Sequence, residues 1–120
     1  MYKIQVYKDE KGKEPVTEYL NELAKSKSKD SRIKLNKILE YIKVLRNDGL
    51  ACGEPYIKHI DGKIWELRHL RDRIFFVAWH NNSFVLLPSF MKDTQKTPKR
   101  EIEKAKKELD YLNSTENDYE

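Results

Sequence analysis

A mixed α+β domain, with helices packed on an antiparallel sheet, is predicted by three observations along the 120-residue chain. Apolar residues recur at helical spacing from Pro15 to Asp48, the period shortens to that of strands from Ile64 to Phe90, and a helical stripe returns after Pro98. With 38% hydrophobic residues the chain can bury one modest core, and its four glycines and four prolines exclude collagen-like and low-complexity architectures. Residues 1–112 are expected to form a single domain and residues 113–120 an acidic, flexible tail.

Each element has a local reason. Tyr2, Ile4 and Val6 alternate with Lys3, Gln5 and Tyr7, the period of a half-buried strand, placed at an outer edge. Pro15 suits a first helical turn, and Val16, Tyr19, Leu20 and Leu23 follow at i, i+3, i+4 and i+7. After the Lys/Ser connection from Lys25 to Lys29, the residues Leu35, Ile38, Leu39, Ile42 and Leu45 mark a longer helix ending near Asp48-Gly49. These two helices read as an antiparallel hairpin. Ile64 to Leu70, Arg73 to Trp79 and Ser83 to Phe90 then read as a three-stranded meander with breaks at Arg71-Asp72 and Asn81-Asn82. Thr97 offers an N-cap hydroxyl before Pro98, and Ile102, Ala105, Leu109 and Leu112 form the stripe of a C-terminal helix.

Charge divides unevenly. Up to Lys107 the chain carries all 24 basic residues against 15 acidic ones, a net +9, whereas Glu108 to Glu120 adds five acidic residues and no basic one. A body so charged suits a polyanionic partner, although solubility alone explains such a surface equally well. The single Cys52 excludes an internal disulfide, and His59, His69 and His80 are scattered without metal-ligand spacing, so no metal or cofactor is expected. No apolar run reaches bilayer length and the first residues lack a signal-peptide pattern, so a cytoplasmic protein with no membrane partner is expected.

Two-residue turns in both hairpins would sort the sheet into two faces. One face would collect Trp65, Leu67, Ile74, Phe76, Ala78, Val85, Leu87 and Met91, a surface for the helices. The other would collect Glu66, Arg68, Arg73, Phe75, Val77, Trp79, Phe84, Leu86, Phe90 and Lys92, with Arg68 opposite Phe75 and Arg73 opposite Phe90. Its arginine end suits RNA, because guanidinium groups bind phosphate at two points and exposed rings stack on unpaired bases. The same residues would equally form a surface ion-pair network around Glu66, Asp72 and Asp93, with the two phenylalanines filling core. The far, apolar end calls for cover by the C-terminal helix or a partner.

Two segments together resemble the RelE/HigB superfamily, most closely the HigB branch related to phage-derived toxin-like proteins. They are Lys58-His-Ile-Asp-Gly-Lys-Ile-Trp-Glu-Leu-Arg68, with Arg73 in the following strand, and Leu86-Leu-Pro-Ser-Phe-Met-Lys-Asp-Thr-Gln-Lys-Thr-Pro98 ahead of a helix. The resemblance implies a RelE-like toxin fold and a type II toxin that cleaves mRNA on the translating ribosome without a metal. It also implies silencing by a HigA-like helix-turn-helix antitoxin, in a heterotetrameric complex that binds operator DNA. A non-catalytic module derived from such a toxin, binding nucleic acid or a partner protein, is the alternative.

The resemblance extends to roles. Arg68 and Arg73 would grip the scissile phosphate, and Lys92 would stabilise charge or assist proton transfer. Glu66 would act as a base or, more in keeping with a carboxylate beside two arginines, orient them. Lys58 and Lys96 would hold the RNA backbone, and Phe90 would stack on a base or support the arginines. His59 is a weaker acid-base candidate, and His69 alternates onto the opposite face from Arg68. Two departures stand out: relatives commonly carry His where this chain has Pro88 and Lys where it has Asp93. Pro88, without a ladder donor, points to an edge or a bulge.

Overall fold

The helical segments form where the apolar stripes place them. In a computed structural model, which describes residues 1–91 and 96–115, strand β1 (Lys3–Val6) precedes helices α1 (Pro15–Lys25) and α2 (Lys29–Asp48). Pro15 begins α1, and the Ser28 hydroxyl caps α2 by accepting from the Ser31 amide. Gly49 closes α2 at φ 62° and lies directly beneath the Tyr2 ring, where any Cβ would collide, so both the turn and the packing require glycine. A short 3-10 turn (Gly49–Cys52) leads to strands β2 (Ile57–Asp61), β3 (Ile64–His69), β4 (Asp72–Trp79) and β5 (Ser83–Met91), and α3 (Lys99–Ser114) follows.

The five strands form one sheet in the order β1-β5-β4-β3-β2. The expected all-antiparallel sheet is corrected at one edge: β1 runs parallel to β5. Alternation specifies which side chains face the core, but it carries no information about strand direction. Strand β2 is an addition to the expected meander. It has only two apolar positions, Ile57 and Ile60, on opposite sides of the sheet, so no alternating stripe marks it; the Gly62-Lys63 turn, with Gly62 at φ 52°, was its signal.

Two cores sandwich the sheet. On one side Val16, Ile38 and Leu45 of α1 and α2 pack on Ile57, Leu67, Ile74, Phe76, Phe84 and Leu86. On the other, Ala105 and Leu112 of α3 pack with Tyr7, Ile64, Phe75, Val77, Val85 and Leu87, and Ile102 and Leu109 join them. The C-terminal helix thus covers the apolar end of the second face. Within α2, Leu39 stays 47% exposed, and Tyr41 contributes to the core instead.

The hairpin turns correct the expected registers. The β3–β4 turn holds Leu70-Arg71, not Arg71-Asp72, so Arg68 lies opposite Arg73 and Glu66 opposite Phe75. This slip of two positions in pairing changes partners without changing faces. The β4–β5 loop holds three residues, His80 to Asn82, between the paired Trp79 and Ser83. Asn81 and Asn82 take the left-handed conformation that asparagine tolerates. The extra loop residue exchanges the faces of early β5, sending Phe84 and Leu86 to α1 and α2 and Val85 and Leu87 to α3. An irregularity at Leu87-Pro88 then restores the register, so Phe90 sits opposite Arg73 as expected. Pro88 therefore occupies a bulge.

Candidate functional site

Strand alternation brings the charged residues of β3 and β4 to one end of the α3-facing side. Glu66 is fully buried there, and its Oε1 lies 3.1 Å from Arg73 Nε and 3.5 Å from Arg68 Nε. Its Oε2 accepts a 2.9 Å hydrogen bond from the Thr97 hydroxyl. Thr97 is therefore not the N-cap of α3; Pro98 takes that position and no side chain caps the helix. Sequence reasoning assigned the hydroxyl to helix capping and missed its link to the carboxylate, because the partners are 31 residues apart.

The two arginines differ in freedom. Arg73 is buried, and besides Glu66 its Nη1 donates to the carbonyl oxygens of Leu70 and of Asp72, the latter at 2.9 Å. Burial pulls its guanidinium below the ordinary value against the opposing pull of Glu66, yet an arginine stays protonated at any physiological pH. Arg68 keeps 23% of its side chain exposed, and its Nη1 lies 3.7 Å from the exposed carboxylate of Glu54. Both arginines line an open concavity of about 390 Å³ with Tyr41, Glu54, Pro55 and Leu70. Its chemistry combines two guanidinium groups suited to an anion, one of them held rigidly by a buried carboxylate, with a rim that carries the exposed Glu54 beside the apolar Pro55 and Leu70.

The remaining expected residues fall around this cluster. Lys58 of β2 is exposed and paired in register with Glu66. Phe90 is half-buried, its ring centroid 4.9 Å from that of Phe75 at 46°, so it supports the β4 side of the site from within the packing. Lys96 is exposed on the approach to α3. Lys92, together with Asp93, lies outside the described residues. His59 turns its Nε2 to the Gly62 carbonyl oxygen at 2.7 Å and packs edge-on against Trp65, away from the arginines.

Asp72 belongs to a separate network, not to that of Glu66. Facing the helices, it accepts a 2.9 Å hydrogen bond from the Tyr19 hydroxyl and pairs with Lys34 at 3.3 Å, tying the start of β4 to α1 and α2. Burial and this hydrogen bond push the Tyr19 phenol well above its ordinary value. His69 pairs with Asp72 in register and packs edge-on against Tyr41, and burial lowers its pKa despite the nearby carboxylate. Among the described residues no group of three or more His, Cys, Asp or Glu is placed to hold a metal ion, and no helix is long and apolar enough to cross a membrane.

Residues 18–110 match the model of a protein family described as phage-derived protein Gp49-like (DUF891). No curated protein matches the chain.

Proposed function

The chain belongs to the phage-derived Gp49-like family, a RelE/HigB-like toxin family, and from that membership we propose that it is the toxin of a type II toxin-antitoxin pair. Its activity is metal-independent endoribonucleolytic cleavage of mRNA on the translating ribosome. The observation that carries this reading is the open Arg68 beside Arg73, both anchored on one buried carboxylate.

Cleavage of this kind forms a bond from the 2′-oxygen to the adjacent phosphorus and breaks the bond from phosphorus to the 5′-oxygen. A proton leaves the 2′-hydroxyl and one arrives on the departing oxygen, so a 2′,3′-cyclic phosphate and a 5′-hydroxyl result. Arg68 contacts the non-bridging phosphate oxygens, whose charge grows in the transition state. Arg73 adds a second guanidinium from behind, and Glu66, with both oxygens engaged inside the protein, positions the arginines in preference to taking the proton. Lys92 supplies charge or the proton for the leaving oxygen. Lys58 and Lys96 hold the flanking backbone, and Phe90 supports the arginine strand.

The partner is a HigA-like helix-turn-helix antitoxin, and the heterotetrameric complex binds operator DNA chiefly through it. Expression without that partner, followed by primer extension on a translated message, tests the reading. Arg68→Ala and Lys92→Ala are expected to keep the fold and lose about a hundredfold or more in cleavage, the range for removing one transition-state donor. Full toxicity in both variants refutes the site. The second reading is a non-catalytic binding module; a stable antitoxin complex with no cleavage by the wild-type chain would establish it.

A further inference from the structure

The concavity beside the arginines has a polar group that the cleavage chemistry leaves unused. Glu54 sits on its rim with 70% of its side chain exposed, and its only ion pair among the described residues is the loose 3.7 Å contact with Arg68. The apolar walls come from Tyr41, Pro55 and Leu70. Leu70 is 79% exposed and held at φ 53°, a conformation that leucine rarely adopts, because it is the first residue of the two-residue β3–β4 hairpin turn; its carbonyl oxygen accepts from Arg73 Nη1. A large apolar side chain is thus presented to solvent next to two phosphate-binding groups. The volume, about 390 Å³, lies in the range of small-ligand sites.

We propose that this concavity is a subsite for one nucleotide of the bound RNA and that Glu54 makes it selective for guanine. The assignment rests on the RNA-binding reading of the arginines. The backbone phosphate takes Arg68, which loosens its hold on Glu54, and the base lies against Leu70, Pro55 and Tyr41. A carboxylate offers two acceptor oxygens side by side and no donor. Guanine alone presents two parallel donors, N1–H and N2–H, on its Watson–Crick edge. Adenine and cytosine each place a ring-nitrogen lone pair beside their single amino donor, which faces the carboxylate with like charge. Uracil flanks its one N–H with two carbonyl oxygens. The site therefore discriminates by pairing with guanine and by repelling the other three bases.

Binding of fluorescein-labelled 2′-O-methyl oligouridylate heptamers, with a central G, A, C or U, tests this without cleavage. The full-length wild-type chain is expected to bind the G heptamer about tenfold more tightly than the others, the size of one good base-edge contact. Glu54→Gln replaces one acceptor by a donor on an exposed side chain and is expected to bring all four heptamers within about twofold. Equal binding of the four by wild type, or a guanine preference that survives in Glu54→Gln, overturns the proposal. The outcomes separate from those of the toxin reading: guanine selectivity that depends on Glu54, without cleavage of a translated message, keeps the subsite and removes the nuclease. Cleavage without base preference does the reverse.

Discussion

At Glu66 the carboxylate is sealed from water, so its charge survives only through its neighbours. Among the described residues Arg73 lies 3.1 Å from it, and Thr97 donates its hydroxyl at 2.9 Å. Arg73→Ala takes a buried cation from the buried carboxylate and leaves it the more exposed Arg68 and the Thr97 hydroxyl, and is expected to cost about 3 kcal/mol. Arg68→Ala removes a partly exposed partner and should cost about 1 kcal/mol or less. Urea unfolding at pH 7 measures both, and equal losses would contradict the asymmetry. The double variant Glu66→Leu/Arg73→Met removes both charges and should regain most of the stability lost in Arg73→Ala. The alternation of β3 and β4 made the company of Glu66, Arg68 and Arg73 legible in the sequence. The depth of Arg73 was not, because burial depends on Leu70 and Asp72 offering carbonyl oxygens at a turn that the sequence reading placed one residue too late.

Among the elements, the helices and the β3–β5 strands were legible because long apolar stripes declare their own period. Pairing was less so, since one added residue in the His80 to Asn82 loop exchanges every side chain of early β5 between the two cores. The bulge at Leu87-Pro88 cancels the exchange before Phe90, which is why the site end of the sheet matched expectation while the hairpin end did not. Strand β2 escaped because its two isoleucines never repeat on one face. Helix α3 carries a further consequence of packing against the sheet. Burial raises the Glu108 carboxyl to about 7, with Glu101 adding to the rise and Lys104 opposing it. Its folded pKa exceeds the ordinary 4.5, so the folded state binds the extra proton between those values. Stability from this group is complete below pH 4.5 and is lost as pH rises through about 7. Glu108→Gln should therefore raise the melting temperature at pH 8, by about 1 kcal/mol in stability after allowing for its partial exposure, and change little at pH 5. A larger gain at pH 5 than at pH 8 would reverse the sign and refute it.

The whole molecule spreads its positive charge more widely than the arginine site requires. Lys29, Arg32, Lys43 and Arg46 are all exposed on one outward face of α2, on the other side of the sheet from α3. The net +9 therefore acts largely as a field around the body, and composition alone could not have located the concavity. Against that field stand the acidic residues after Lys107. Residues 116–120 lie outside the described part of the chain, but their charge acts at a distance whatever their arrangement. Removing them deletes Glu116, Asp118 and Glu120 and raises the formal charge from +4 to +7. Association with a single-stranded RNA is steered by that charge, so the truncated chain should bind 2′-O-methyl oligouridylate faster at low salt. At about 10 mM ionic strength the Debye length of roughly 30 Å lets the terminal charges act across the whole body, while at 1 M it shrinks to about 3 Å. Stopped-flow association rates for the two chains should thus differ several-fold at the first condition and converge at the second. Dissociation rates should change less, because long-range charge acts mainly on the rate of encounter. A rate difference that persists unchanged at 1 M salt would show that these residues act by contact and not through the field.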